Sequence, residues 1–356
     1  MKIALMGGWN MDSGAAFHTE MVGRSWVKAG HDVKVFSFVK ENFHGTNIIG
    51  ADEPYVTRCF TTWSATPQKL DPHPFLACDY DIFVAEDHGM FPKDQLGKIF
   101  NRIRKKAKTI AVVHDGRLSE DPSYYQFKWD AIVSFDRRYI DFLQKGYEQK
   151  KLYEIPYPCY PATKGDKISA RKKLGIPEER RIVFLFGPSA KTAIDIMPAI
   201  NKTGRKYPIT VLLTTKDKPG IEKFTALRNE MKNIMIEIRE EAPDIGRLYD
   251  YLHAADVLFF GKKSAEQAVV SSTVYQCLGS GCIVLARDSN YVETFKDAVL
   301  KYKNVEDVPV KLECVFNEDL IYKNTLKNAH RFVENNSAEI VAGRFIELFN
   351  KLLTEE

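Results

Sequence analysis

The feature that most constrains this chain is an alternation, met twice, of short apolar runs with amphipathic stretches. In the first half the runs are KIALMG (Lys2–Gly7), DVKVFSF (Asp32–Phe38), DIFVAE (Asp81–Glu86), TIAVVH (Thr109–His114) and AIVSF (Ala131–Phe135). Such runs suit strands covered on both faces. Between them, Ala15–Gly30 reads as a helix with Phe17, Met21, Val22 and Trp26 on one face and a glycine stop. PKDQLGKIFNRIRKKA reads as another. Strands spaced by helices in this way predict a parallel sheet with helices on both sides.

The alternation breaks at YEIPYPCYPATKGDK (Tyr153–Lys167), where prolines in a polar setting read as a linker. It then restarts with Arg181–Gly187, Ile209–Thr215, Ile234–Glu240, Ala255–Gly261 and Cys282–Asp288 as strands. Helices are expected at Ile245–Ala254 and Ser272–Ser280. A closing helix follows Ser337, a capping residue, with Ile340, Phe345, Leu348, Phe349 and Leu352 on one side. A chain of 356 residues exceeds one ordinary core and divides into two Rossmann-like, doubly wound α/β units, 1–162 and 163–338. Two such units in tandem set the carboxyl ends of both sheets on either side of a central cleft. Ligands of these sheets bind beyond those strand ends.

Composition narrows the partners. With 51 Lys+Arg against 47 Asp+Glu the net charge is only +4, and the basic residues are interleaved with acidic ones. No nucleic-acid partner is expected. No run reaches the ~18 apolar residues of a membrane span, and the opening MKIALMGGW has no signal-peptide pattern. Six scattered cysteines without a CxxC pair read as reduced thiols. The expected location is cytoplasmic.

The loops after the strands hold the site candidates. Gly14 and Ala15, at the first helix start, could offer backbone N–H groups to an anion or a sugar hydroxyl. EDHGM supplies Glu86, Asp87 and His88, of which Glu86 and His88 are the acid/base candidates. HDGR follows the next strand, and His114 and Asp115 are the candidates there for holding an acceptor. In the second half, FGPSAKTA brings Gly187, Ser189 and Lys191, a point charge for a phosphate. GKKSAEQAVVSST brings Lys262, Lys263, Glu266, Ser271, Ser272 and Thr273, with Gln276 one turn on. Amides there suit phosphate, and Glu266 or Gln276 suits hydroxyls. There is no GxGxxG, no P-loop and no HExxH or paired-His spacing, so neither a dinucleotide nor a metal is expected. CFTTWSATPQK (Cys59–Lys69) is a candidate to meet an acceptor or a membrane periphery.

In order and spacing, KAGHDVKVFS, RKKLGIPEERRIVFLFG, LYDYLHAADVLFF and GSGCIVLARDSNYVETF make the chain resemble a GT-B glycosyltransferase of the retaining family-4 type over nearly its whole length. The resemblance implies a nucleotide-sugar donor, UDP- or GDP-linked, held mainly by the second domain, with a hydroxyl acceptor held by the first. It implies no cofactor and no metal, and a closing helix, about 339–356, that returns to the first domain. The departing diphosphate is stabilised by positive groups and helps take the acceptor proton. Carried over, the glycine-rich first loop maps to Ser13–Gly14–Ala15, and the sugar-contacting histidine maps to Glu86, with His88 two residues on. The phosphate clamp maps to Gly187–Lys191, with Pro188 where relatives place arginine and Lys262 or Lys263 as its replacement. The glutamate pair maps to Ala268 and Gln276, with Glu266 standing in for the first, and the base to Ile238–Arg239. The alternatives are a catalytically degenerate GT-B protein that binds nucleotide or sugar as a binding module or partner subunit, and a sugar-nucleotide epimerase.

Overall fold

A computed structural model describes residues 1–40 and 50–355. Residues 41–49 of the first expected domain, and Glu356 at the end of the expected closing helix, lie outside the described residues. The chain separates into two compact units: Met1–Pro158 with Gln267–Ser272 and Asn336–Glu356, and Cys159–Glu266 with Thr273–Asn335.

The first unit runs β1 (Lys2–Met6), α1 (Gly14–Lys28), β2 (Asp32–Phe38), β3 (Val56–Phe60), α2 (His73–Ala77) and β4 (Ile82–Glu86). It continues with α3 (Lys93–Arg104), β5 (Lys108–Val112), β6 (Ala131–Ser134), α4 (Arg137–Leu143) and β7 (Leu152–Glu154). Among the described residues its sheet has seven strands in the order β3-β2-β1-β4-β5-β6-β7, all pairs parallel. Ile3–Met6 and Ile82–Ala85 are wholly buried, which explains their uninterrupted apolar character.

The second unit runs α5 (Lys167–Leu174), β8 (Arg181–Phe186), α6 (Met197–Thr203), β9 (Ile209–Thr214), α7 (Lys218–Glu230) and β10 (Ile234–Arg239). Then come α8 (Ile245–Ala254), β11 (Val257–Phe260), α9 (Ser272–Cys277, whose first residue is grouped with the first unit), β12 (Ile283–Arg287), β13 (Leu300–Tyr302), α10 (Val308–Phe316) and α11 (Leu320–Asn335). Six parallel strands stand in the order β10-β9-β8-β11-β12-β13. Their core joins Val183, Leu185, Val211, Leu213, Val257 and Phe259 to Ile200, Phe224 and Leu312 on the covering helices.

The last helix, α12 (Ala338–Thr354), is part of the first unit. The Ser337 hydroxyl accepts from Ile340 N at 3.3 Å and caps it. Phe345, Phe349 and Val341 are buried, and the Trp26 indole of α1 donates to Ala342 O at 3.1 Å. Ile340, expected on the inward face, is half exposed. The apolar stripe runs instead through Ala338, Val341, Ala342 and Phe345, at helical spacing.

Two sequence readings shift at this level. The inward face of α1 is rotated from the expected one: Phe17 and Met21 are only partly covered, while His18, Val22 and Trp26 are buried at successive four-residue steps. The strap Gln267–Ser272, expected in the second domain, belongs to the first unit. Ala268 N donates to Gly116 O at 3.1 Å, and Arg138 donates to Val269 O at 3.0 Å.

Candidate functional site

The strand order of the first unit reverses between β1 and β4, so the connections leaving their carboxyl ends diverge and open a crevice. A cavity of about 330 Å³ lies there. The β1 loop and α1 start form one wall, with Gly8, Ser13, Gly14 and Ala15. Glu86, Asp87 and His114 form the floor, and Phe135, Tyr139 and Tyr157 the apolar side. Val269, Val270 and Ser272 of the strap line it as well. Ser13 Oγ accepts from Ala16 N and starts α1 there, and Tyr157 donates to Gly14 O at 2.6 Å. Gly7 is required by a close approach: a Cβ on it would stand 2.8 Å from Glu86 Cβ.

Glu86 ends β4 with no exposed surface, and its two oxygens serve two imidazoles. His18 Nδ1 donates to Oε1 at 3.1 Å and His114 Nε2 to Oε2 at 3.0 Å. A carboxylate can only accept, so these contacts fix the tautomer of each neutral ring. Burial works against the charge on Glu86, but the imidazoles outweigh it and hold the carboxyl at about 2. Burial pulls His18 below its ordinary value against the attraction of Glu86, so His18 is the neutral partner. Burial also opposes charge on His114, yet Glu86, Asp87 and Asp115 together raise it. With Nε2 committed to Glu86, the ring nitrogen His114 has left for the cavity is Nδ1.

Asp87 takes a left-handed conformation, φ 61 and ψ 58, and lines the cavity. Burial, with Asp115 and Glu86 nearby, pushes it up to about 6. That backbone turn also swings the next residue away. His88, a catalytic candidate from sequence, is wholly buried behind the cavity with its ring 3.8 Å from Tyr124 and 5.5 Å from Trp129. Burial lowers it to about 3, against an upward pull from the Tyr124 backbone. His88 is a packing residue. Asp115 likewise stands behind His114, beside Gly89 and Tyr124.

In the second unit the strand order reverses between β8 and β11, and a second cleft, of about 540 Å³, opens there. Lys191, Lys223, Lys262 and Lys263 line it with Asp195 and Tyr291. Gly187, at φ 68, turns the chain out of β8, and Ser189 O accepts from Thr192 Oγ1 to close the turn that carries Lys191. Burial lowers Lys262, whose ammonium sits 5.1 Å from the Tyr291 ring centre. Arg239 is held elsewhere: it pairs with Glu237, donates to Leu174 O at 2.9 Å and lies over Tyr251. Glu266 is exposed, and neither it nor Gln276 lines either cavity. The Gln276 side chain has no hydrogen bond among the described residues, while its carbonyl accepts from Tyr249 at 2.9 Å. Ser271 is buried, and Thr273 sits in the first turn of α9, which is only six residues long.

The structure therefore brings together Gly14, Ala15, Ser272, Glu86 and His114 in one cavity, and Lys191 and Lys263 in another. It adds His18 and Lys223, to which no site role was given from sequence, and keeps Asp87, the second carboxylate of EDHGM. His18 had a signal: it continues the Trp26–Val22 series by another four residues. The ligand atoms of His18, Glu86 and His114 also lie within 4.8 Å of one another, a His₂Glu set that suits zinc. No motif spacing could announce it, because its members are 68 and 28 residues apart. Each imidazole faces a different carboxylate oxygen, and hydrogen bonding alone accounts for the arrangement.

No protein-family model matches the sequence. Solved structures do match along its full length. A glycosyltransferase from Rickettsia africae shares 14% identity, covers 100% of this chain and 99% of that one, and gives a TM-score of 0.68. Anabaena HepE in complex with UDP-glucose shares 12%, covers 99% and 100%, and gives 0.69. Sucrose-phosphate synthase from Thermosynechococcus elongatus shares 14%, covers 100% of both chains, and gives 0.66. The chain has the GT-B fold of two Rossmann-like domains.

Proposed function

We propose that this chain is a glycosyltransferase that moves a hexosyl group from a UDP- or GDP-linked sugar to an acceptor hydroxyl, with retention and without metal or other cofactor. The observation that carries the reading is the Glu86–His114 pair on the floor of the switch-point cavity. The fold adds support, since Anabaena HepE is solved with UDP-glucose and pneumococcal GtfA with UDP and GlcNAc. His114, oriented through Nε2, presents Nδ1 to a sugar or acceptor hydroxyl, and Gly14, Ala15 and Ser272 shape the wall beside it. Lys191, Lys223, Lys262 and Lys263 serve as point charges for the diphosphate. In the reaction the bond from the sugar C1 to the diphosphate oxygen breaks and one from C1 to the acceptor oxygen forms. The acceptor proton passes to the departing diphosphate, whose growing charge the lysines stabilise. The reading places the enzyme in the cytoplasm, with no nucleic-acid partner and an acceptor that brings it to the membrane periphery.

Thermal shift against UDP-, GDP- and ADP-sugars identifies the donor, because a ligand bound to the native state raises its stability. Lys191→Ala then weakens donor binding. His114→Ala keeps binding and lowers turnover by roughly 10²-fold through lost positioning. The uncharged Gln276 and the exposed Glu266 favour one rival, a binding module that has lost transfer. Donor binding without turnover over a broad acceptor panel would establish that rival, and interconversion of the donor sugar without acceptor would establish an epimerase.

A further inference from the structure

A different face of the second unit carries an unassigned groove of about 620 Å³ between β13, α10 and α11. Lys296, Lys301, Lys311, Lys327 and Arg331 line it, with Asp297 as its one acidic residue. That is as much net positive charge as the whole chain carries. Among the described residues no carboxylate lies within 4.0 Å of Lys296, Lys311, Lys327 or Arg331, and the carboxylate nearest Lys301 is Asp288, at 4.0 Å. Lys296 reaches the groove from a backbone at φ 49 and ψ −118, which residues with a β-carbon rarely adopt.

Cations left unpaired around one concavity select an anion, and the neighbouring side chains say which kind. Leu320, Asn324, Lys327 and Arg331 recur at intervals of four, three and four residues, so they share one face of α11. At the start of that face Leu320 is 72% exposed and Ile321, which lines the groove, is 46% exposed. A soluble phosphate has no use for bare aliphatic side chains beside it. A lipid surface uses both, its phosphates for the cations and its acyl boundary for the aliphatic pair. We propose that this face docks on an anionic phospholipid surface, with lipid phosphates seated in the groove and Leu320 and Ile321 entering the interface. The proposal does not depend on the transferase reading.

The test is co-sedimentation of the full chain with phosphatidylcholine vesicles that contain or lack phosphatidylglycerol. Binding is expected only with phosphatidylglycerol, and it is released by salt as the attraction is screened. The triple change Lys311→Gln, Lys327→Gln and Arg331→Gln, at helix positions of which the last two are exposed and the first is half-buried, lowers partitioning by on the order of 100-fold. Leu320→Ser with Ile321→Ser keeps low-salt binding and loses the part that survives added salt. Circular dichroism and the melting temperature report that both variants are folded. Equal binding to neutral vesicles, or a triple variant that sediments like the parent, would overturn the proposal. So would stabilisation by inorganic phosphate, lost in the triple variant, with no vesicle binding, which would make the groove a site for a soluble phosphate.

Discussion

A carboxylate shut off from water, as Glu86 is, stays charged because two imidazoles donate to it, and this ties the cavity floor to pH. Glu86 falls from an ordinary 4.5 to about 2, so it contributes stability above pH 4.5 that is lost as pH falls towards 2. His18 is held below 6.5, so its contribution is present above pH 6.5 and is lost as pH falls through its lowered value. His114 runs the other way: its stabilisation is complete below 6.5 and is lost as pH rises through its raised value. Acid unfolding followed by circular dichroism should therefore begin below pH 6.5 and steepen below 4.5. Glu86→Gln should remove the steep part and lower stability near neutrality by about 2–3 kcal/mol, since two buried charge-assisted hydrogen bonds weaken. His88→Phe separates the neighbouring histidine from the chemistry. Packed against Tyr124 and Trp129, the ring tolerates a change of similar volume, so stability should move by less than about 1.5 kcal/mol and turnover stay intact. A collapse of turnover with normal folding would return His88 to the site. In EDHGM the residue types pointed to a site, but only the left-handed turn at Asp87 decides which of them faces the cavity. Backbone turns of that kind leave little trace in residue identity.

Among the elements, the strap Gln267–Ser272 depends on one position. A Cβ on Gly116 would fall 1.8 Å from Ala268 O, so the strap can lie against the β5 loop only over a glycine. Gly116→Ala should displace it, opening the cavity wall at Val269 and Val270. The expected readouts are faster proteolysis within 267–272 and weaker donor binding, with a stability loss of about 1–3 kcal/mol. At this scale the sequence was most legible. All ten apolar runs form strands, most of them buried on both faces and apolar for that reason, while β2 and the edge strand β10 carry exposed positions at Asp32, Lys34 and Met235. The missed strands are β3, with Thr57 and Arg58 inside it, and the three-residue β7 and β13, too short to show a period. The linker reading at Tyr153–Lys167 ran over the last two residues of β7 for the same reason.

For the molecule as a whole, two Rossmann-like units were readable from the repeated alternation and the GT-B fold from the family resemblance, whereas the membership of Gln267–Ser272 was not, since it rests on a hydrogen bond across 152 residues from Gly116 to Ala268. The first unit is discontinuous in the chain, and Trp26 marks the junction. Its ring is buried against Phe345 and Phe349 as well as bonded to Ala342. Trp26→Ala should cost about 3–5 kcal/mol. Calorimetry should show this as an earlier melting of the first unit, with the lysine cleft of the second still binding phosphate-bearing ligands at the lower temperatures. The placement of α12 also fixes an order of events during translation. The ribosome releases Trp26 and His18 long before the residues that cover them. At roughly 5–20 residues per second, the second unit emerges over about 10–35 s before Phe345 arrives. During that interval the α1 surface is an open apolar face on a nascent chain. A chaperone that shields such faces should therefore matter most for this protein before α12 is made, and release from it should coincide with the docking of α12.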